Sequence, residues 1–147
     1  MAAPPPPSDD VQNVAELRAA LIRFLGDSER IARAYELTSR QHVLLLMIEG
    51  AHHGSQHATV RQIAERMRIA DSTARRLVRA AEQAGLVERV KLTSERTTYF
   101  RATLEGSRRI TEVSTELRRN RRALARLLRT IEPDDYVLPS EVERYDQ

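Results

Sequence analysis

The fold of this chain is decided by residues 59–92, TVRQIAERMRIADSTARRLVRAAEQAGLVERVKL. The stretch opens with Thr59 and, three residues later, Gln62. This spacing is typical of a capping box, in which the threonine hydroxyl and the glutamine side chain satisfy free backbone groups at the start of a helix. The apolar residues that follow predict a short helix that ends around Met67.

A second helix is predicted within the same stretch. Asp71 or Ser72 is expected to cap it, and the helix runs to Ala84. Gly85 then stands where a residue in the left-handed conformation commonly ends a helix. Two short helices joined by a turn are typical of a helix-turn-helix, a motif that commonly places its second helix in a DNA groove.

Two more helices are predicted upstream. In residues 11–35 apolar side chains recur at steps of three and four, which indicates one long amphipathic helix. A second capping box, Thr38 with Gln41, opens the next helix, which stops near Gly50. Residues 43–48 are all apolar, so this helix has no polar face there and is expected to lie in the middle of the domain.

A β-hairpin is predicted after the helix-turn-helix. Residues 86–92 and 97–103 are rich in Val, Thr, Tyr and Phe and are separated by a short polar turn. Helices followed by such a hairpin make a winged helix-turn-helix, so we expect a mainly α fold with a small β-hairpin wing. The expected segments are a disordered proline-rich tail (1–10), a first helix (11–36), the winged helix-turn-helix lobe (37–103), one long last helix (104–131) and an acidic tail (132–147).

Composition narrows the possible classes of protein. A chain of 147 residues is long enough to form one domain with its own hydrophobic core. It has no cysteine, which excludes disulfides, thiolate zinc sites and cysteine nucleophiles. Its longest aliphatic run, residues 43–48, is far shorter than the ~18 residues of a membrane span. We expect a cytoplasmic protein with no membrane contact.

The sequence carries no catalytic signature. It has neither a G-x-S-x-G elbow nor an H-E-x-x-H pair, and its five glycines form no phosphate-binding loop. We therefore expect neither an enzyme nor a bound cofactor.

The net charge of +3 hides a strong segregation of sign. Residues 40–101 and 102–131 are each strongly basic, whereas residues 132–147 are strongly acidic. All but one of the 24 basic residues are arginine, which can bind phosphate or carboxylate through two parallel hydrogen bonds. A polyanion is the natural partner, and a general preference for arginine over lysine is the alternative explanation. The acidic tail is expected to fold back on the last helix of its own chain or of a partner.

The second helix of the helix-turn-helix has two distinct faces. At 100° per residue, Ala74, Leu77, Val78 and Ala81 fall on one narrow apolar face, which must pack on the domain. Short hydroxyls at a helix N-terminus can bond phosphate, and arginine can bond guanine in the major groove. The alternative is an ordinary solvated face. The candidate DNA-binding residues on the other side and its flanks are Ser72, Thr73, Arg75, Arg76, Arg79 and Gln83.

Residues 37–106 resemble the DNA-binding core of the MarR family of bacterial transcriptional regulators. The order and spacing of five motifs carry the resemblance more than any one of them does. The motifs are LTSRQ at 37–41, TVRQIAERM at 59–67, STARRLV at 72–78, GLVER at 85–89 and TLEG at 103–106.

The resemblance implies a homodimer that represses transcription from a pseudo-palindromic operator, with the fourth helix in the major groove. By position in the motif, Arg96 is the wing arginine that enters the minor groove. Arg89 and Lys91 on the first hairpin strand would reach phosphates. The family usually has Asp where Ser94 stands, so either Glu95 takes over its role or the wing is less rigid.

The last helix carries a separate argument for a dimer. Its apolar residues follow alternating steps of three and four, the heptad pattern of a coiled coil, and Asn120 within this seam could fix register or partner. The alternative partner is the first helix of the same chain, and the resemblance implies dimers built from both helices. The candidate dimerisation residues are Leu17, Leu21, Ile110, Val113, Leu117, Asn120, Leu124, Leu127 and Ile131.

Two other groups of residues have ligand-binding chemistry. The resemblance implies a small aromatic or lipophilic effector, and the residues expected nearest its site are Arg18, Phe24, Tyr35 and His42. The alternative is that the aromatic side chains on the apolar helix faces belong to the core. His52, His53 and His57 could together bind a metal. Their spacing matches no ligand motif, so we expect a solvated loop and no metal site.

A winged helix that binds an acidic protein partner, instead of DNA, is the rival function. The same arginines would serve both functions. The salt dependence of binding distinguishes the two functions. A protein that contacts several phosphates loses affinity for DNA steeply between ~50 and 200 mM salt and still prefers one sequence.

Overall fold

The computed structural model describes residues 1–51, 54–92 and 96–131. These residues form six helices and one two-stranded antiparallel sheet, which confirms the predicted mainly α fold with a hairpin wing. None of the described helices is long and apolar enough to cross a membrane. In chain order the elements are α1 (Asp9–Ala34), α2 (Ser39–Glu49), α3 (Val60–Met67), α4 (Asp71–Gln83), β1 (Val87–Val90), β2 (Tyr99–Ala102), α5 (Leu104–Glu116) and α6 (Arg118–Ile131).

The described chain forms two compact units. The winged-helix unit is Ser28–Leu117, and the helix-pair unit combines residues 1–27 with residues 118–131. These boundaries differ from the predicted segments, because the division falls inside α1 and between α5 and α6 rather than at 36/37 and 103/104.

Helix α2 is the centre of the winged-helix unit. It contacts α3, α4, α5 and β2, and Leu44, Leu45 and Ile48 are at most 1% exposed. The run of apolar residues at 43–48 predicted this central position, since a helix without a polar face cannot lie at the surface.

Both predicted capping boxes are present. The Thr38 hydroxyl accepts a hydrogen bond from the backbone N–H of Gln41 (3.1 Å), and the side-chain oxygen of Gln41 accepts one from the backbone N–H of Thr38 (3.0 Å). Thr59 and Gln62 make the same pair of bonds at 3.1 and 2.9 Å, and α3 ends at Met67 as expected. Such bonds span only three residues, so the local sequence is enough to predict them.

The predicted start of α4 is wrong. Its N-cap is Ala70, with no side-chain hydrogen bond, and Asp71 lies inside the first turn, so neither Asp71 nor Ser72 caps the helix. The reason lies one step upstream, where Arg68 ends α3 in the left-handed conformation (φ 56°) and turns the chain into α4 early. The negative charge of Asp71 still stabilises the helix, because it lies at the positive N-terminal end of the helix dipole.

The predicted end of α4 is confirmed. Gly85 is left-handed (φ 75°), and the Leu86 amide donates to the Ala81 carbonyl at 2.9 Å. These are the features of a Schellman motif, which turns the chain from α4 into the wing.

The wing is shorter than predicted and has an additional partner. Val87 pairs with Ala102 and Val90 with Tyr99 in an antiparallel register. Ala58, just before α3, forms a bridge to Phe100 with two backbone hydrogen bonds of 2.9 and 2.8 Å. This bridge, which the sequence did not reveal, fastens the wing to the start of α3.

The last helix is not continuous as predicted. Leu117 is a turn residue that separates α5 from α6, and it is buried. Two residues upstream, the Thr115 hydroxyl donates to the Thr111 carbonyl at 2.9 Å, a side-chain bond that often bends helices.

Candidate nucleic-acid interface

Helix α4 presents the face that its sequence predicts. Ala74, Val78 and Ala81 are buried, and Leu77 is half-buried. Thr73 is also half-buried, on the flank of the exposed face, where its hydroxyl lies 3.5 Å from the Arg76 guanidinium. The exposed residues of the helix include Ser72, Arg75, Arg76, Arg79 and Gln83.

A cleft of about 370 Å³ lies between α3, α4 and the wing. Thr59 and Thr98 bring hydroxyl groups to its wall, and Glu82 brings a carboxylate. Hydroxyl and guanidinium groups are the usual protein partners of nucleic-acid phosphates. The four arginines that line the cleft are Arg61, Arg75, Arg79 and Arg89.

Two of these arginines lie beside carboxylates. Arg89 was predicted to reach phosphates, but its guanidinium bonds the Glu82 carboxylate at 3.0 and 3.5 Å and lies 5.8 Å from the Phe100 ring centre. Arg61 lies on the cleft without having been predicted there, and it is 3.4 Å from Glu65. One feature of the local sequence could have indicated this position, because Arg61 lies in the first turn of the helix that precedes α4.

The remaining wing candidates flank residues 93–95, which lie outside the described residues. Lys91 and Arg96 are both exposed. Ser94 and Glu95, on which the predicted orientation of Arg96 depends, lie outside the described residues. The role of Arg96 therefore stays a prediction.

The candidate dimerisation residues fall into two groups. Ile110, Val113 and Leu117 are at most 4% exposed within the winged-helix unit, so their burial needs no partner chain. In the helix-pair unit Asn120 donates a 2.9 Å hydrogen bond to Asp27, so its amide has a partner within the chain. The apolar candidates in that unit are all half-buried, namely Leu17, Leu21, Leu124, Leu127 and Ile131.

The four candidate effector residues belong to different units. Arg18 is exposed and Phe24 half-buried in the helix-pair unit, where Phe24 lines a cavity of about 110 Å³. In the winged-helix unit the Tyr35 hydroxyl bonds the Glu116 carboxylate, and this bond raises the pKa of Tyr35. His42 is buried, its Nε2 has no hydrogen-bond partner among the described residues, and burial lowers its pKa.

Part of the histidine-rich loop lies outside the described residues, namely His52 and His53. His57 packs edge-to-face on Tyr99, with ring centres 5.1 Å apart. In the parts of the chain that are described, no three metal-ligating side chains come together.

The helix-turn-helix, the hairpin and the arginine-lined cleft between them define the chain as a winged helix-turn-helix protein. Residues 35–95 match a family model described as the MarR family. This match covers less than half of the chain, and it confirms the resemblance to the MarR family that the motifs predicted.

Solved structures share this fold. A MarR family protein from Bacillus stearothermophilus is 27% identical, with 91% of this chain and 88% of that chain covered and a TM-score of 0.63. A mutant of S. aureus MepR bound to an oligodeoxyribonucleotide is 16% identical over 87% of this chain and 86% of that chain (TM-score 0.59). S. aureus MarR in complex with salicylate and kanamycin is 18% identical over 84% and 76% (TM-score 0.57). No curated protein sequence is significantly similar to the chain.

Proposed function

We propose that this chain is a homodimeric transcriptional repressor that binds a pseudo-palindromic operator in double-stranded DNA. The observation that carries the proposal is the exposed face of α4, where Arg75, Arg76 and Arg79 stand beside the arginine-lined cleft. None of the three has a carboxylate partner among the described residues, so their guanidinium groups are available to bases and phosphates.

A second apolar face on α1 supports the dimer. Val11, Val14, Ile22 and Leu25 are between 56% and 71% exposed, and their spacing places them on one side of the helix. An exposed apolar stripe of this length is typical of an interface, and a second copy of α1 is its natural cover. A two-fold axis would then present two α4 helices to half-sites about one DNA turn apart.

Selection from random duplexes, followed by a gel-shift titration, tests the DNA-binding part. We expect an enriched palindrome and a steep loss of affinity between ~50 and 200 mM salt. Arg76→Ala should cost ~1–3 kcal/mol on the selected site, because it removes a base contact. The matched control is Arg40→Ala, an exposed arginine in the first turn of α2, which should change binding little.

Two outcomes would overturn the proposal. A selection without an enriched palindrome would favour an acidic protein partner for the same arginines. Sedimentation that shows only monomer at micromolar concentration would remove the two-fold arrangement on which the palindrome depends.

We further propose that a small aromatic acid releases the DNA. The support is the S. aureus MarR structure, which is described as a complex with salicylate and kanamycin. Salicylate added to the protein–operator complex should raise the dissociation constant, and an unchanged constant at millimolar salicylate would exclude this ligand as effector. Because its proposed ligand is chromosomal DNA, we place the protein in the cytoplasm with no enzymatic role.

A further inference from the structure

Helix α6 carries six arginines and no acidic residue among its 14 residues. All six are exposed. At 100° per residue, five of them fall within an arc of roughly 100° on the side opposite Leu124 and Leu127. We call this set the arginine ridge, and its members are Arg118, Arg119, Arg122, Arg126 and Arg129.

The arginine ridge has no anion beside it, unlike several other arginines of the described residues. Arg33 pairs with Glu29 at 2.6 Å, and Arg101 pairs with Glu88 at 2.8 Å. By contrast, no carboxylate of the described residues lies within ion-pair distance of a ridge arginine. Like charges at i and i+4 on a helix destabilise it, so the ridge would gain from an anionic partner.

The chain supplies such a partner directly after α6. Residues 132–147 contain six acidic residues and one arginine, and they begin where α6 ends at Ile131. Sixteen residues can span up to ~50 Å when extended, whereas α6 is only ~21 Å long. The segment is therefore long enough to return along the whole ridge even after it has reversed direction.

We propose that the acidic segment 132–147 docks on the arginine ridge of its own α6. Docked there, it neutralises the ridge and keeps nucleic-acid phosphates away from it. Under the proposed function, on which this consequence rests, contact with DNA is then confined to α4 and the wing. The docking itself does not depend on DNA binding.

Carbodiimide cross-linking of the full chain tests the docking, because the reagent joins a lysine amine to a carboxylate only at contact. The background is low, since Lys91 is the single lysine of the sequence. One variant carries Arg122→Lys and Arg126→Lys on the ridge. Its matched control carries Arg75→Lys and Arg79→Lys, an exposed pair with the same spacing on α4.

We expect cross-links between residues 132–147 and positions 122 and 126 to be at least fivefold more abundant than those to positions 75 and 79, and to disappear in 1 M salt. In a mixture of ¹⁵N-labelled and unlabelled protein, they should join peptides of the same label. Equal yields at the two pairs, no yield at the ridge, or mixed-label links that make up about half of the total in an equimolar mixture would each overturn docking on the chain's own helix.

A second measurement addresses the shielding of the ridge. Full-length protein with Asp134→Asn, Asp135→Asn, Glu141→Gln and Glu143→Gln should bind a random-sequence duplex at least threefold more tightly than the unchanged chain. Arg122→Gln with Arg126→Gln in the same background should reverse that gain. If the neutralised chain binds random duplex no more tightly than the unchanged chain, the acidic segment does not shield the ridge. A different result, the absence of operator preference in the unchanged chain, would count against the proposed function instead.

Discussion

The guanidinium of Arg89 is held by the carboxylate of Glu82 at the edge of the cleft between α4 and the wing, with Nε and Oε2 3.0 Å apart. Among the described residues that line this cleft, Glu82 is the single acid. A carboxylate on a surface that faces phosphates opposes binding, and here it also occupies an arginine that could otherwise contact the backbone. Under the proposed function, we therefore expect the pair to limit affinity for DNA of any sequence.

Glu82→Gln should increase affinity for random-sequence DNA and make the plot of log K against log salt steeper by about one, because it frees one phosphate-binding guanidinium. Fluorescence anisotropy across a salt series measures both effects. The control is Glu88→Gln, which removes the same charge from the Arg101 pair on the wing. If the two variants respond equally, the effect comes from net charge and not from Arg89.

The capping residues give a prediction on stability. Thr59→Ala should lower the free energy of unfolding by ~1 kcal/mol, because it removes the hydroxyl that accepts a hydrogen bond from the backbone N–H of Gln62. Ser72→Ala should change it by no more than a few tenths of a kcal/mol, because the N-cap of α4 is Ala70. Urea unfolding of both variants checks this pair, and an equal loss for Ser72→Ala would contradict the observed start of α4.

Two glycines should respond to alanine in opposite directions. A Cβ at Gly26, inside α1, would meet no atom within 4 Å, so Gly26→Ala should stabilise the chain by ~0.5–1 kcal/mol. A Cβ at the buried Gly106 would lie 2.2 Å from the Leu86 carbonyl oxygen, so Gly106→Ala should destabilise the chain by ~2–3 kcal/mol. Thermal unfolding distinguishes the two, and a melting temperature that Gly106→Ala leaves unchanged would contradict this close approach.

His42 should make stability depend on pH. Burial lowers its pKa below the usual 6.5, so in the window just below pH 6.5 the unfolded chain binds a proton that the folded chain does not. Stability should therefore fall as the pH is lowered from 6.5 towards the folded-state pKa of His42. His42→Leu removes the buried, unpartnered Nε2 and should flatten this part of the profile in urea titrations at pH 5–7. A slope as steep as that of the unchanged protein would assign the effect to other groups.

Much of the fold follows from short-range patterns in the sequence. The Thr38–Gln41 and Thr59–Gln62 boxes, the left-handed Gly85 and the two faces of α4 were all predicted, because each depends on residues at most a few positions apart. The same reasoning placed arginines on the exposed face of α4. It also found the MarR family motifs, whose order along the chain is a property of the sequence alone.

Other features exist only because distant segments meet. Ala58 pairs with Phe100, and Glu82 pairs with Arg89 across the turn into the wing, although nothing in either local sequence names its partner. The break at Leu117 escaped prediction because the heptad pattern continues through it. Hydrogen bonds within one turn of helix are fixed by neighbouring residues, so the sequence by itself determined where most of the helices lie, the two capping boxes and the character of the helix faces. Packing decided which of those faces meet and which arginines are left without a carboxylate. Such contacts join residues that only the tertiary structure brings together.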